Sequence, residues 1–551
     1  MEAHPSSARL RDQLLLTALT FACLLPFSNK PFNVDDVLFV AAARQIRAHA
    51  LDPYGFQIVW YTTAMPMAEV TKNPPLASYY GALVTLVGGG SEIAWHLGFL
   101  APALALVLGT YRLAERFTGR PLLAAVATLA PPVFLISASG VMCDVTMLAL
   151  WVWATILWTE GLEPLRPARL ASSAVLMAAA ALSKYFGAAV IPLLLVYSLA
   201  RQRRMGKWAW FLAIPVAALT GYHFWTAELY GHGLLSDAAV YAHFKPESLQ
   251  LPVLATTLVG LSFTGGCVLT ALTFAPWLWS RWEIAAGAAA SGLAGFIVGM
   301  GWINLRSHVA GEDTGLVCAE MALFIAGGIS LLGLAGTDLW KRRDAESLLL
   351  TLWVAGTFLF AVYVNWTVNG RSILPMIPAA GILIARRWEE TNKARGGSPR
   401  RWWWPAAVAG VLSLWMTWGD AGWASSQKLA AELMHDKTAG ATGTVWFAGH
   451  WGLQYYMQAE GGVPVDVSLF SKSFRSGDFI VLPKNNTNTF DIAPGFTSSR
   501  ESIVFPMTRR AATMCPELGA GFYSSAWGPL PFAVGKVTPE RYTLLRLKRP
   551  Q

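Results

Sequence analysis

Charge is scarce in this sequence. Asp, Glu, Lys and Arg make up only 14% of its 551 residues, against about 25% in a soluble globular protein. An ordinary water-soluble fold is excluded. Cysteine is scarce too. Of five, Cys23, Cys143, Cys267 and Cys318 lie in or at the ends of apolar runs and Cys515 stands alone near the C-terminus. No CxxC pair occurs, which argues against a disulfide framework and a cysteine metal site. There is no HExxH spacing for zinc and no visible internal repeat. The net charge of +9 implies no nucleic-acid partner. Lys and Arg fall in short clusters between apolar runs, the pattern membrane topology produces.

What is present is apolar sequence: 54% of residues, in runs that approach the about 20 residues a helix needs to cross a bilayer. Tryptophan is abundant and fits interfacial belts, as at Trp402-Trp403-Trp404. The run Leu14–Phe27 follows Arg9 and Arg11 without a small-residue cleavage site, so it reads as a retained anchor. Further spans are predicted from about residues 93, 121, 140, 169, 187, 207, 252, 284, 316, 347, 372 and 403. If Leu76–Val87 does not cross, this arrangement puts every later basic cluster on the N-terminal side.

The expected fold class is therefore a polytopic α-helical membrane protein of about 13 transmembrane helices with a small C-terminal α/β extracytoplasmic domain. Residues 1–424 form the membrane unit, with a large first external loop over 28–92, and residues 425–551 form the tail domain. In the tail, strands are predicted at Thr444–Gly449, Asp478–Leu482, Ser502–Phe505 and Arg541–Leu547, with a helix over Trp451–Glu460.

Candidate site residues follow from that topology. Asp35 and Asp36 are adjacent carboxylates just beyond the first span, in a helix predicted over Val34–Ala50 with Asn33 as its cap. Aspartates in a first turn are ordinary, because the helix dipole favours them. The same pair can take a proton from a hydroxyl or hold a cation. Asp144 lies between two apolar runs, where a carboxylate is costly. Lys72, Lys184, Arg306 and Arg371 fall on the external side, where the positive-inside bias makes basic residues less expected. One such residue reads as a snorkelling anchor. Four beside three carboxylates suit an anionic ligand such as a phosphate.

Five segments carry a resemblance. They are Asn33-Val-Asp-Asp-Val, Lys72-Asn-Pro-Pro-Leu76, Val141-Met-Cys-Asp-Val-Thr-Met147 with Leu182-Ser-Lys-Tyr-Phe-Gly187, and Arg371-Ser-Ile-Leu-Pro-Met-Ile-Pro378. In this order they resemble the GT-C class of membrane glycosyltransferases, in the branch of protein O-mannosyltransferases and bacterial aminoarabinose transferases. Asp35-Asp36 stands where that family usually has Asp-Glu, and Ser372 where it has Tyr.

The resemblance implies a polyprenyl-phosphate sugar donor in the bilayer, and a glycan, lipid or protein acceptor on the outer face. It makes Asp35 the general base, Arg371 and Lys72 the groups that stabilise the departing phosphate, and Lys184 or Arg306 their helpers. Asp36 and Asp144 either position acceptor or sugar or hold a divalent cation. No other cofactor is fixed, and the identity of any metal stays open. Two rivals from other classes are a secondary transporter and a non-catalytic polysaccharide assembly protein. A transporter's charges belong near the midplane, commonly between repeats.

Overall fold

The computed structural model describes residues 5–243, 250–302, 314–394, 401–507 and 510–548. Among the described residues, seven helices are long and apolar enough to cross a membrane. They are Ser7–Phe27, Glu92–Phe117, Cys143–Leu162, Tyr185–Gln202, Arg281–Gly299, Thr314–Arg342 and Ala345–Val364. Pro121–Leu129 and Pro132–Ala138 add an eighth if taken as one span bent by 63°. Pro131 and Pro132 cause that bend, since a proline ring blocks continuation of the preceding helix.

The expectation of about thirteen spans is thus corrected to seven or eight. The five that fall away have physical reasons. Pro167–Ser183 and Val253–Cys267 stop after 17 and 15 residues. Ala213–Tyr230 turns polar at Tyr222, His223 and Glu228, and Ile377–Ala394 carries Arg386, Arg387, Glu389, Glu390 and Lys393. Trp403–Thr438 is long but rich in tryptophan and interrupted by Asp420.

Local chemistry sets the helix ends. Ser91 caps Glu92–Phe117 by accepting the Ala94 N–H, and Ser280 and Glu283 form a capping box on Arg281–Gly299. Helices Val253–Cys267 and Thr314–Arg342 pack backbone against backbone. A Cβ at Gly265 would collide with the Phe324 carbonyl, which is why glycine stands there.

Between the first and second spans lie helix Asp36–Ala48, the hairpin Gln57–Val59 with Ala64–Pro66, and helix Leu76–Gly88. At 13 residues the last is about 20 Å long, short of a bilayer core.

The tail holds a five-stranded sheet in the order Val463–Pro464, Val445–Phe447, Phe479–Pro483, Glu540–Leu547, Thr497–Phe505. The first three run parallel and the last two antiparallel, with Leu544 opposite both Val481 and Glu501. Helix Trp451–Ala459 and the end of Trp403–Thr438 cover one face, burying Met434, Leu453, Phe447, Val481 and Leu544 together. The strands and helix expected from the sequence are present.

The tail is also tied to the bundle. Helix Trp403–Thr438 runs from one into the other. The segments around Ala511–Ala512, Phe522 and Phe532–Ala533 bury their side chains in the same apolar core as the membrane helices. These short pieces carry no alternating pattern, so the sequence did not announce them.

Candidate active site

The site starts where the chain leaves its first helix. Phe32 N–H donates to the Tyr456 hydroxyl at 2.8 Å. The Asn33 side-chain oxygen accepts from Val34 N–H and from Gln427, each at 2.8 Å. Val34 takes a left-handed conformation, φ +49°. The helix then runs over Asp36–Ala48 with Asp35, not Asn33, at the cap position, and Asp35 makes no capping hydrogen bond. Its carboxylate is free for other work.

The two aspartates point in different directions. Asp35 Oδ2 accepts from Arg371 Nη2 at 2.8 Å. Asp36 is buried and accepts two backbone N–H groups, from Asn33 at 3.1 Å and Val141 at 2.9 Å. Burial pushes Asp36 up to about 6, against the Lys30 charge and the two N–H groups, which lower it. Asp36 fastens the helix start to the turn before the third span.

Asp144 opens helix Cys143–Leu162 and bonds to Lys184, which stands where helix Pro167–Ser183 gives way to extended backbone. Its other oxygen is 4.0 Å from Arg371 Nη1. Arg371 is held by a short helix, Gly370–Ile373, capped by Asn369 accepting from Ser372 N–H at 2.9 Å. The order Asp35, Arg371, Asp144, Lys184 alternates carboxylate and cation. Burial alone would lower Arg371, but the Asp35 and Asp144 charges outweigh it and raise it further.

Arg371 is incompletely satisfied. Nη1 donates to the Met142 thioether at 2.7 Å, a weak acceptor. Nε is buried, and among the described residues it has no hydrogen-bond partner. The Tyr523 ring lies 6.0 Å from the guanidinium. Lys72 is half-buried, donates to the Glu69 carbonyl at 2.6 Å and sits over the Tyr241 ring. Among the described residues no carboxylate pairs with it. Burial lowers its pKa, with Asp237 and Glu69 opposing.

These groups face a cavity of about 640 Å³, lined by Asp35, Lys72, Lys184 and Arg371. Asp36 and Asp144 stand one layer behind it. Arg306 lies outside the described residues. Asp36 and Asp144 face different partners. The first spends its oxygens on N–H groups and the second faces Lys184 and Arg371. Among the described residues no group of three or more His, Cys, Asp or Glu could hold a metal ion.

Sequence reasoning missed a second cluster behind the first. Lys30 and Asp420 pair at 2.6 Å, with side chains 2% and 0% exposed. Lys30 also donates to the Ser139 hydroxyl at 3.2 Å. Asp420 accepts from Thr513 at 2.6 Å and from the Tyr523 hydroxyl at 3.2 Å. The available signal was the one that exposed Asp144, a lone carboxylate in an apolar stretch.

A helical membrane bundle with a half-open cavity, and a carboxylate facing cations in it, has the parts of a membrane-embedded group-transfer enzyme. Residues 72–225 match the family model of the dolichyl-phosphate-mannose-protein mannosyltransferases. The match covers that stretch of the 551 residues, and over it the chain is similar to that family. The matched stretch contains Lys72, Asp144 and Lys184, while Asp35 and Arg371 lie outside it. No curated protein sequence matches the chain. Among solved structures, the chain is similar to ArnT from Cupriavidus metallidurans bound to undecaprenyl phosphate. The identity is 15% over 87% of this chain and 94% of that one, with a TM-score of 0.41. The apo form of that protein gives 16% over 85% and 92%, with a TM-score of 0.40. The arabinofuranosyltransferase AftD from Mycobacteria gives 15% over all of this chain and 40% of its own, with a TM-score of 0.41.

Proposed function

We propose that the chain transfers a sugar from a polyprenyl-phosphate donor to an acceptor hydroxyl of the cell envelope, in the cavity at Asp35 and Arg371. The single observation that carries this reading is the unspent bonding of Arg371. A buried guanidinium with one N–H on a thioether and Nε unpaired suits phosphate oxygens, which arginine binds through parallel N–H groups.

In the reaction, the acceptor oxygen attacks the anomeric carbon while the bond from that carbon to the phosphate oxygen breaks. Asp35 takes the hydroxyl proton. Negative charge grows on the departing lipid phosphate, and Arg371 and Lys72 stabilise it with help from Lys184. Asp144 holds Lys184 and Arg371 in place. Asp36 holds the helix that presents Asp35.

The cavity faces the extracytoplasmic side, and residues 425–551 form the domain that covers it there. Supporting this, Asp35, Asp144 and Lys184 share one end of their helices. Arg112 and Arg116, Arg166 and Arg169, Arg201 and Arg203, and Lys341 and Arg342 lie at the opposite ends, as the positive-inside bias requires for the cytoplasmic face.

Membranes holding the natural protein or Asp35→Asn at matched expression test the reading with a panel of labelled polyprenyl-phosphate sugars. Label is expected to leave one of these lipids with the natural protein alone. Equal release by both proteins contradicts the assignment of Asp35.

A further inference from the structure

The cavity has two chemically different walls. Its Asp, Lys and Arg residues are Asp35, Lys72, Lys184 and Arg371, all from the membrane unit and its first loop. The tail contributes His450, Trp451, Asn488 and Trp527, and the hairpin of the first loop adds Trp60 and Tyr61. None of the described tail residues on this wall is Asp, Glu, Lys or Arg.

His450 is held neutral. Its ring stacks on Trp60 with centroids 5.0 Å apart. Asn488 Nδ2 lies 2.6 Å from His450 Nε2. It also lies 3.2 Å from the Trp60 carbonyl oxygen and 2.5 Å from that of Tyr61. Three acceptors around one nitrogen fix the amide's orientation. They make His450 Nε2 the unprotonated nitrogen, with Nδ1–H donating to Gln454 at 3.3 Å. Burial agrees, pushing His450 down to about 4. Asn488 Oδ1 is left without a partner among the described residues, at the cavity wall.

Trp451 follows at φ +61°, a conformation that bulky residues rarely adopt and that concentrates at functional sites. Its ring packs between Trp423 at 5.5 Å and Trp527 at 5.7 Å. Trp423 in turn reaches Tyr523, which lies against Arg371. An aromatic floor therefore runs from the charged wall to the neutral one. Asp35 stands between them. After burial, its charge is the next influence raising the Tyr61 hydroxyl.

Aromatic faces, an amide and a neutral imidazole, without formal charge, match the two surfaces of a sugar ring. Its C–H face stacks on aromatics, whose π-faces are electron-rich. Its hydroxyls bond to the amide oxygen that Asn488 leaves open, which His450 holds in place. We infer that the tail and hairpin wall is the acceptor subsite, and that the acceptor's reacting end is an uncharged sugar, so that the enzyme extends a glycan. The inference rests on the proposed glycosyl transfer.

The full chain in lipid nanodiscs is titrated with two probes in parallel, undecaprenyl phosphate and a panel of uncharged methyl glycosides and short oligosaccharides. Saturation-transfer NMR reads the glycosides. At least one is expected to bind saturably. Binding is expected to weaken roughly tenfold in Asn488→Ala and in Tyr61→Ala, the loss of about one good hydrogen bond or contact, while undecaprenyl phosphate binding changes less than about twofold. Both side chains are exposed, and an unfolding temperature within a few degrees of the natural protein's checks that each variant is folded. If undecaprenyl phosphate binds and no neutral glycoside does, or if an acidic peptide or a sugar phosphate binds in their place, the subsite inference is overturned. The same follows if both variants bind glycoside as the natural protein does. If glycosides bind as expected and undecaprenyl phosphate does not, the donor reading fails and the subsite stands.

Discussion

Two clusters of buried charge meet at Tyr523 and differ in what they leave over. In the sealed cluster, Lys30 and Asp420 satisfy each other and are completed by Ser139, Thr513 and Tyr523. In the open cluster, Asp35, Arg371, Asp144 and Lys184 alternate in sign but stay incomplete. Arg371 Nε and Asp144 Oδ2 have no hydrogen-bond partner among the described residues. Completed buried polar groups specify one packing arrangement, and incomplete ones are high in energy until something binds. The sealed cluster joins the first loop, the long helix and the tail. The open cluster is the one we propose for the chemistry. Tyr523 belongs to both, its hydroxyl on Asp420 and its ring against Arg371.

This contrast can be broken by mutation. The largest effect is expected in the sealed pair. Asp420→Asn leaves Lys30 buried without its ion-pair partner and should remove about 3–5 kcal/mol of stability, read as a fall in thermal unfolding temperature. The double change Lys30→Met with Asp420→Leu should recover most of that loss, because a buried pair is often replaceable by apolar residues. Failure of the double change to recover stability would mean that Ser139, Thr513 and Tyr523 depend on the charged pair for their bonding.

In the open cluster the effects should fall on turnover rather than folding. Asp35→Asn is expected to lower the transfer rate by about 10²–10⁴-fold, the usual value of a general base, with little change in unfolding temperature. Arg371→Lys keeps the charge but loses the fork. It should reduce turnover by roughly 10²-fold, and a near-normal rate would remove the phosphate role.

A smaller effect sharpens the picture of the neutral wall through pH. His450 titrates at about 4 in the folded chain, below the about 6.5 of a free histidine. Between those values the unfolded chain binds more protons, so this group's contribution to stability is lost as pH falls from about 6.5 towards 4. Asp36, raised to about 6, works in the opposite direction, stabilising the fold as pH falls through 6. The two oppose each other in the natural protein. His450→Gln removes one side of the balance. Relative to that variant, the natural protein should lose about 2 kcal/mol between pH 7 and pH 5.

The sequence exposed charged residues more readily than crossings. Asp144, Lys184 and Arg371 stand out because ionisable groups beside apolar runs are costly and few, and the structure places them within one cluster with Asp35. Crossings were overcounted because an apolar run does not show where its helix ends, as at Ser183 and Cys267, or that polar side chains interrupt it, as at Glu228, Arg386 and Asp420. A helix that stops cannot span. Lys30 and Asp420 escaped because their sequence positions are 390 residues apart, and nothing local shows that they meet. The neutral wall was hidden for the same reason, with Trp60 and Asn488 separated by 428 positions. Tryptophan and asparagine carry no signal of their own in a tryptophan-rich membrane protein.

The most direct test of the contrast is the affinity for undecaprenyl phosphate, measured in nanodiscs for the natural chain, Arg371→Lys, and the Lys30→Met and Asp420→Leu double variant. The open cluster as phosphate site predicts at least about tenfold weaker binding in Arg371→Lys, with the double variant staying within about threefold. The reverse pattern, with normal affinity in Arg371→Lys and lost affinity in a folded double variant, would contradict it.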